Sequence, residues 1–189
     1  MWNQHHKNSY ALTKEPLAKA LGLNKFEQFT IWDATAGTGK DSVLIAYFLT
    51  LHQKQLNKNF HWSLHLFERN PLIYLLLKDA LTFLPIEIPL YFKSASEELI
   101  ERPDVIYYDP MYEESAKNKS ALPRKEMQMF REIVGSDGDV LEFLEKALNI
   151  AKDRVVVKRS INAPIITPKN FKPTAIYKGK STRYDLYKI

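Results

Sequence analysis

The sequence predicts an α/β domain of the doubly wound type, a mostly parallel sheet with helices on both faces. Three observations carry this expectation. Strand-like and helix-like segments alternate along the chain. A glycine turn, Ala36-Gly37-Thr38-Gly39, falls between the first strand and the first helix. Carboxylates close the first, second and fourth strands at Asp33, Glu68 and Asp109. Alternating elements require right-handed crossovers and place ligand sites at the carboxyl ends of the strands.

The elements follow in order. Phe29–Asp33 is the first strand, and a helix opens near Lys40-Asp41, runs through Val43–Phe48 and ends in the polar stretch Gln53–Asn59. Trp62–Glu68 is the second strand. Pro71 suits a first helical turn, where its missing N–H costs nothing, and that helix continues to about Phe83. Ile86–Phe92 is expected as a third strand, and Asp104–Asp109 as a fourth, stopped by Pro110. Two helices, Ser120–Val134 and Val140–Ala151, flank Gly135-Ser136-Asp137-Gly138. The valines of Arg154–Lys158 mark a fifth strand buried on both faces. Ala175–Lys178 and Tyr184–Lys188 form a hairpin around Gly179, adding antiparallel strands at the edge.

At 189 residues, 45% of them hydrophobic, the chain is long enough to bury a full core. With no cysteine, it excludes a disulfide framework, a thiolate nucleophile and a Cys-ligated metal. Apolar runs such as Leu72–Leu77 are far short of the roughly 20 residues that span a bilayer. The polar N-terminus lacks the apolar stretch of a secretory signal, so a soluble, reducing setting is expected. The net charge of +5 is unevenly spread. Residues 151–189 carry ten basic and two acidic side chains, or +8, leaving −3 for the rest. A polyanionic partner would explain this, and so would an edge strand guarded by lysines.

Three ligands compete for the glycine turn. A P-loop needs glycine at Ala34 and Ser or Thr at Asp41, and both fail. A dinucleotide fingerprint would place its third glycine at Ser42, with Asp41 repelling a pyrophosphate. S-adenosylmethionine carries no phosphate and is cationic, so Asp33 and Asp41 favour it. Glu68 suits its ribose hydroxyls, because a carboxylate accepts from both.

The fourth strand runs into Asp109-Pro110-Met111-Tyr112. Enzymes that methylate exocyclic base amines often carry an acidic or amide residue, prolines and an aromatic at this place. Such an amine is a weak nucleophile, its lone pair being delocalised into the ring. A carboxylate and a main-chain carbonyl that accept its N–H bonds draw the lone pair toward the methyl donor. A stacked aromatic ring fixes the line of attack.

Further segments complete a family pattern: Glu68-Arg69-Asn70-Pro71, Lys119-Ser120-Ala121-Leu122, Lys125-Glu126-Met127, Arg154–Arg159 and Ala163-Pro164. From about residue 29 onward the chain resembles the RsmJ family of bacterial 16S ribosomal RNA guanine-N2 methyltransferases. The resemblance implies a Rossmann-like class I methyltransferase fold of seven strands over residues 29–189, after a short helical or extended segment, 1–28. It implies S-adenosylmethionine as donor and no metal. The implied donor contacts are Asp33, Ala36, Gly37, Gly39, Lys40, Asp41, Glu68, Arg69, Ala95, Ser96 and Asp109. Asp109, Pro110 and Tyr112 would form the reaction centre, and Lys119, Lys125, Lys158 and Arg159 would meet RNA. The implied partner is 16S RNA or the small ribosomal subunit, met in the cytoplasm by a monomer or weak homodimer. Other RNA or DNA base amines stay open as acceptors, as does a non-catalytic RNA-binding or assembly role.

Three departures stand out. Only 28 residues precede the first strand, where relatives carry more. Gln53–Asn59 stretches Asp33 to Glu68 across 35 positions, against a usual spacing of about 20. Tyr112 replaces the common Phe, and Glu113-Glu114 follows it.

Overall fold

The computed structural model describes residues 12–23, 27–55, 59–97, 101–110 and 139–189. Helix α1 (Pro16–Leu21) precedes β1 (Gln28–Asp33), α2 (Lys40–Gln55) and β2 (His61–Glu68). Next come α3 (Pro71–Leu81), β3 (Leu90–Phe92) and β4 (Val105–Tyr108). Helix α4 (Val140–Ile150), β5 (Arg154–Ser160), β6 (Ala175–Lys178) and β7 (Thr182–Lys188) complete the chain.

The described strands form one sheet in the order β3-β2-β1-β4-β5-β7-β6. Strands β1 to β5 pair in parallel, and β7 is antiparallel to both β5 and β6. The order reverses between β1 and β4. Their carboxyl ends therefore splay around a crevice, the place where doubly wound sheets bind ligands.

Alternation along the central strands feeds two cores. On one face Ile31, Leu64, Val105, Tyr107 and Val156 pack with Ile45 and Leu49 of α2 and Leu17 and Leu21 of α1. On the other, Trp32, Phe67, Ile106, Tyr108, Val155 and Val157 pack with Leu144 and Ala147 of α4. All four residues of β4 are buried, so its unbroken apolar run follows from cover on both sides. Helix α3 starts as its sequence demands. The Asn70 side chain accepts from the N–H groups of Leu72 and Ile73, and Pro71 occupies the first turn.

Two arginines fasten the carboxy-terminal half. Arg154, fully buried, donates to Asp153 and to the Ala20 carbonyl at the end of α1. Arg183 pairs through both arms with Asp185 and donates to the carbonyls of Ser160, Ile161, Ala163 and Pro164. The loop after β5 is thereby bound to the hairpin.

Two expected elements differ. The third strand was expected over Ile86–Phe92 but begins only at Leu90. Pro89 has no N–H for the ladder; its carbonyl accepts from Leu66, and regular pairing follows from Leu90 onward. Strand β5 runs beyond Lys158 to Ser160, because β7 pairs with it as far as Thr182. The expected helix Ser120–Val134 lies outside the described residues, as do Tyr112, Lys119 and Lys125.

Gly22 ends α1 at φ +72°, and a Cβ there would meet Nη1 of Arg154 at 2.5 Å. Gly22→Ala should cost about 1–3 kcal/mol of stability, read from urea unfolding. An unchanged midpoint would show that α1 is not held against Arg154.

Candidate active site

The crevice is built from three strand ends. Asp33 closes β1, nearly fully buried; its carboxylate accepts from the Ser42 hydroxyl at 2.6 Å and the Thr35 N–H at 3.1 Å. Glu68 closes β2. One of its oxygens accepts from the Gly37 N–H at 3.0 Å and the other from the Asn70 N–H at 2.7 Å. Asp109 follows β4, and its own N–H donates to the Thr35 hydroxyl at 2.7 Å. The carboxylates of Asp33 and Glu68 thus also organise the backbone around them.

The glycine turn takes the shape its residues permit. Gly37 and Gly39 sit at φ +52° and +77°, where other residues are strained. A Cβ on Gly39 would meet Cδ1 of Leu77 at 2.6 Å, so glycine lets the start of α2 lie against α3. Ala36 donates its N–H to the Phe67 carbonyl, tying the turn to β2. Lys40 is exposed at the start of α2.

Asp41, in the first turn of α2, accepts from the Tyr107 hydroxyl and from Nζ of Lys158, each at 2.6 Å. The same ammonium donates to Oδ2 of Asp109 at 2.9 Å. Among the described residues, four carboxylates, Asp33, Asp41, Glu68 and Asp109, therefore surround this crevice with one ammonium, that of Lys158, among them. Such a set repels phosphate and attracts a cation.

Burial pushes the Asp33 carboxyl up to about 7, with Asp41 and Asp109 adding to it against the bonds from Ser42 and Thr35. Burial also raises Asp109, to about 6, against the pull of Lys158. Burial alone would lower Lys158, but the carboxylates of Asp109 and Asp41 outweigh it and push its pKa up.

The remaining expected residues line the rim or lie apart. Arg69 bonds Asp139 at 2.8 Å, linking the end of β2 to the start of α4. Ala95 is buried, and Ser96 shares a hydroxyl bond with Ser94, both in a short turn after β3. Pro110 is buried. Lys158 points into the crevice rather than onto an open surface, and Arg159 is buried with its guanidinium on the Pro164 carbonyl. Sequence reasoning passed over Thr35, Ser42 and Tyr107. The one available signal was Tyr107 itself, since a buried hydroxyl needs a partner.

A sheet in this order, with an acid-lined crevice at its switch point, defines a class I S-adenosylmethionine-dependent methyltransferase. The family described as "Putative SAM-dependent methyltransferase" matches residues 1–189. The chain is 38% identical to the Ribosomal RNA small subunit methyltransferase J of Thioalkalivibrio sulfidiphilus, over 94% of this chain and 69% of that protein. It is 39% identical to the protein of that name from Coxiella burnetii, over 90% of this chain and 65% of the relative. The crystal structure of a SAM-dependent methyltransferase from Neisseria gonorrhoeae superposes with a TM-score of 0.62. That protein is 31% identical, with 92% of this chain and 70% of the other covered. The chain belongs to the RsmJ family of SAM-dependent methyltransferases. It spans about two thirds of the length of these relatives.

Raising Asp33 from 3.8 to about 7 makes its protonation favour the folded state. The stability so gained is complete below pH 3.8 and is lost as pH rises through about 7, at up to about 1.4 kcal/mol per pH unit. Asp33→Asn should therefore melt at a temperature that falls less than wild type between pH 5 and 8. Parallel curves would show that Asp33 titrates normally.

Proposed function

We propose that this chain transfers a methyl group from S-adenosylmethionine to the exocyclic N2 amine of a guanine in small-subunit ribosomal RNA. The observation that carries the reading is Asp109. Its main chain is pinned to Thr35 and its carboxylate is held at the switch-point crevice beside a cation-attracting set of acids. The names of the relatives support the RNA, and the resemblance supports the N2 amine.

The residues present fit the donor. Glu68 uses one acceptor position on each oxygen to hold the turn, which leaves further lone pairs for two ribose hydroxyls. Asp33 and Asp41 offer counter-charge to an ammonium. Ala36, Gly37 and Gly39 let a ligand approach the backbone, Lys40 and Arg69 flank it, and Ala95 and Ser96 wall the adenine side. When bound, S-adenosylmethionine supplies an electrophilic methyl on a sulfonium leaving group, chemistry that needs no metal.

Asp109 accepts an N–H of the acceptor amine and raises the electron density on its nitrogen. A new N–C bond forms as the C–S bond breaks, and the displaced pair stays on sulfur. The surplus proton passes to Asp109, whose pKa of about 6 lets it release the proton to water near neutrality. Pro110 stiffens the turn, and Tyr112 is assigned to stack on the base.

No described helix is long and apolar enough to cross a membrane, and we assign the reaction to the cytoplasm. Phosphate contacts need exposed cations. Lys178 and Lys180 are exposed at the β6–β7 turn, in a stretch without an acidic residue from Arg154 to Tyr184. Thr182 pairs with Ser160, so this turn lies at the same end of the sheet as Asp109. Three strand spacings separate β4 from β6, about 14 Å, a distance suited to the phosphates flanking a bound guanosine.

Asp109→Ala should abolish methylation of small-subunit RNA while calorimetry still detects donor binding; undiminished turnover would remove Asp109 from the reaction. Lys178→Gln with Lys180→Gln should raise KM for RNA, leave donor affinity unchanged and reduce the salt slope of RNA binding by about 1–2. An unaltered slope would mark these lysines as edge protection only.

A further inference from the structure

Lys158 was expected on an RNA-facing surface, and the strand explains why it is not there. It shares the parity of Arg154 and Val156 on β5, the face covered by α2. Its side chain is 22% exposed, and its ammonium sits between Oδ2 of Asp41 at 2.6 Å and Oδ2 of Asp109 at 2.9 Å. The Tyr107 hydroxyl donates to that same Asp41 oxygen. The result is a continuous chain, Tyr107 to Asp41 to Lys158 to Asp109, spanning β4, α2, β5 and the turn after β4.

We propose that Lys158 is the positioning residue of Asp109: its ammonium captures Oδ2, keeps the carboxylate ionised and leaves Oδ1 for the acceptor amine. The inference rests on the assignment of Asp109 to the acceptor amine. A cation donating to one oxygen restricts rotation about the carboxyl bond, so the second oxygen meets the amine along a defined line. Asp41 and Tyr107 prevent the ammonium from swinging away. Because its pKa is raised, Lys158 stays protonated throughout and takes no part in proton transfer. The proton released from the amine has Asp109 as its acceptor.

A lysine that merely staples α2 to the sheet would show the same distances. The two roles differ in their effect on titration. Among the described residues, the charged and titratable groups around Asp109 are Lys158 from β5, Asp41 from α2, Asp33 from β1, Tyr107 from β4 and Tyr184 from β7. Lys158 is the only cation among these described groups, so its removal leaves only anions and neutral hydroxyls of that set beside the carboxylate.

The test is the pH dependence of single-turnover methylation of small-subunit RNA by the intact chain, with donor binding measured alongside. In wild type the rate should rise through about pH 6. Lys158→Met should move that limb upward by about 1–3 pH units, so that a loss of about 3-fold or more at pH 6.5 is largely recovered at pH 9. Lys158→Arg should restore the wild-type limb. Should Lys158→Met fail to fold, Lys158→Gln carries the test in the same sense: it removes the positive charge and keeps a polar side chain, so the limb again moves up. Equal rate losses at every pH, with the limb in place, would overturn the proposal in favour of a staple. An unchanged limb with a salt slope reduced by about 1 would overturn it in favour of a phosphate contact. Asp109→Asn separates the two readings. If it keeps the wild-type limb, the assignment of Asp109 fails. If it loses the limb while Lys158→Met keeps it, only the positioning role fails.

Discussion

The site depends on what Glu68 does with its two oxygens. By accepting from Gly37 on one side and Asn70 on the other, it joins the turn after β1 to the start of α3. Both N–H groups belong to sharp turns that no helix or strand can satisfy, and an unpaired buried donor costs about 1–3 kcal/mol. Satisfying them with one carboxylate also fixes that carboxylate at the strand end where we propose that the donor's ribose diol binds. On that proposal, stability and recognition are served by the same side chain. The arrangement repeats at Asp33, which holds Thr35 and Ser42, and Thr35 in turn holds the main chain of Asp109. Three strand ends are coupled through a handful of bonds.

This coupling has an electrostatic cost. Burial pushes the Asp33 and Asp109 carboxyls above their ordinary range, and repulsion from the neighbouring carboxylates adds to it. The same arrangement makes the crevice selective. A cation entering it relieves the repulsion, whereas a phosphate would add to it. That distinction separates this glycine turn from phosphate-binding turns of similar appearance, and it originates in Asp41 standing where a P-loop would carry a hydroxyl.

Much of this was legible along the chain. The ends of β1, α2, β2 and α3 nearest the crevice fall within a residue of where the turn residues, Pro71 and the terminal carboxylates put them. Local signals suffice there, because capping and turn chemistry act between near neighbours. The third strand was overdrawn because Ile86 and Ile88 look like strand residues, while Pro89 breaks the pairing. Partnerships across the sequence were not legible. Ser42 meets Asp33 nine positions away, Tyr107 meets Asp41 across 66, and Asp109 meets Thr35 across 74. The resemblance set Lys158 and Arg159 near RNA without showing their own partners, Asp41 and Asp109 for Lys158 and the Pro164 carbonyl for Arg159. On a strand covered on both faces, sequence position alone does not reveal which side chains reach solvent.

The Arg183 clamp has a consequence for how this fold can change over evolutionary time. Its guanidinium joins the hairpin to four carbonyls at the end of β5 and in the loop after it, in a fork geometry that lysine cannot reproduce. A residue added to or removed from the β6–β7 hairpin would shift that fork and drag the loop beside the reaction centre with it. The opposite end of the sheet tolerates such changes. The additional residues between Asp33 and Glu68 are absorbed there, by the length of α2 and its connection to β2, with the crevice geometry intact. Length variation in descendants of this chain should therefore accumulate away from the acids, at the amino ends of the parallel strands.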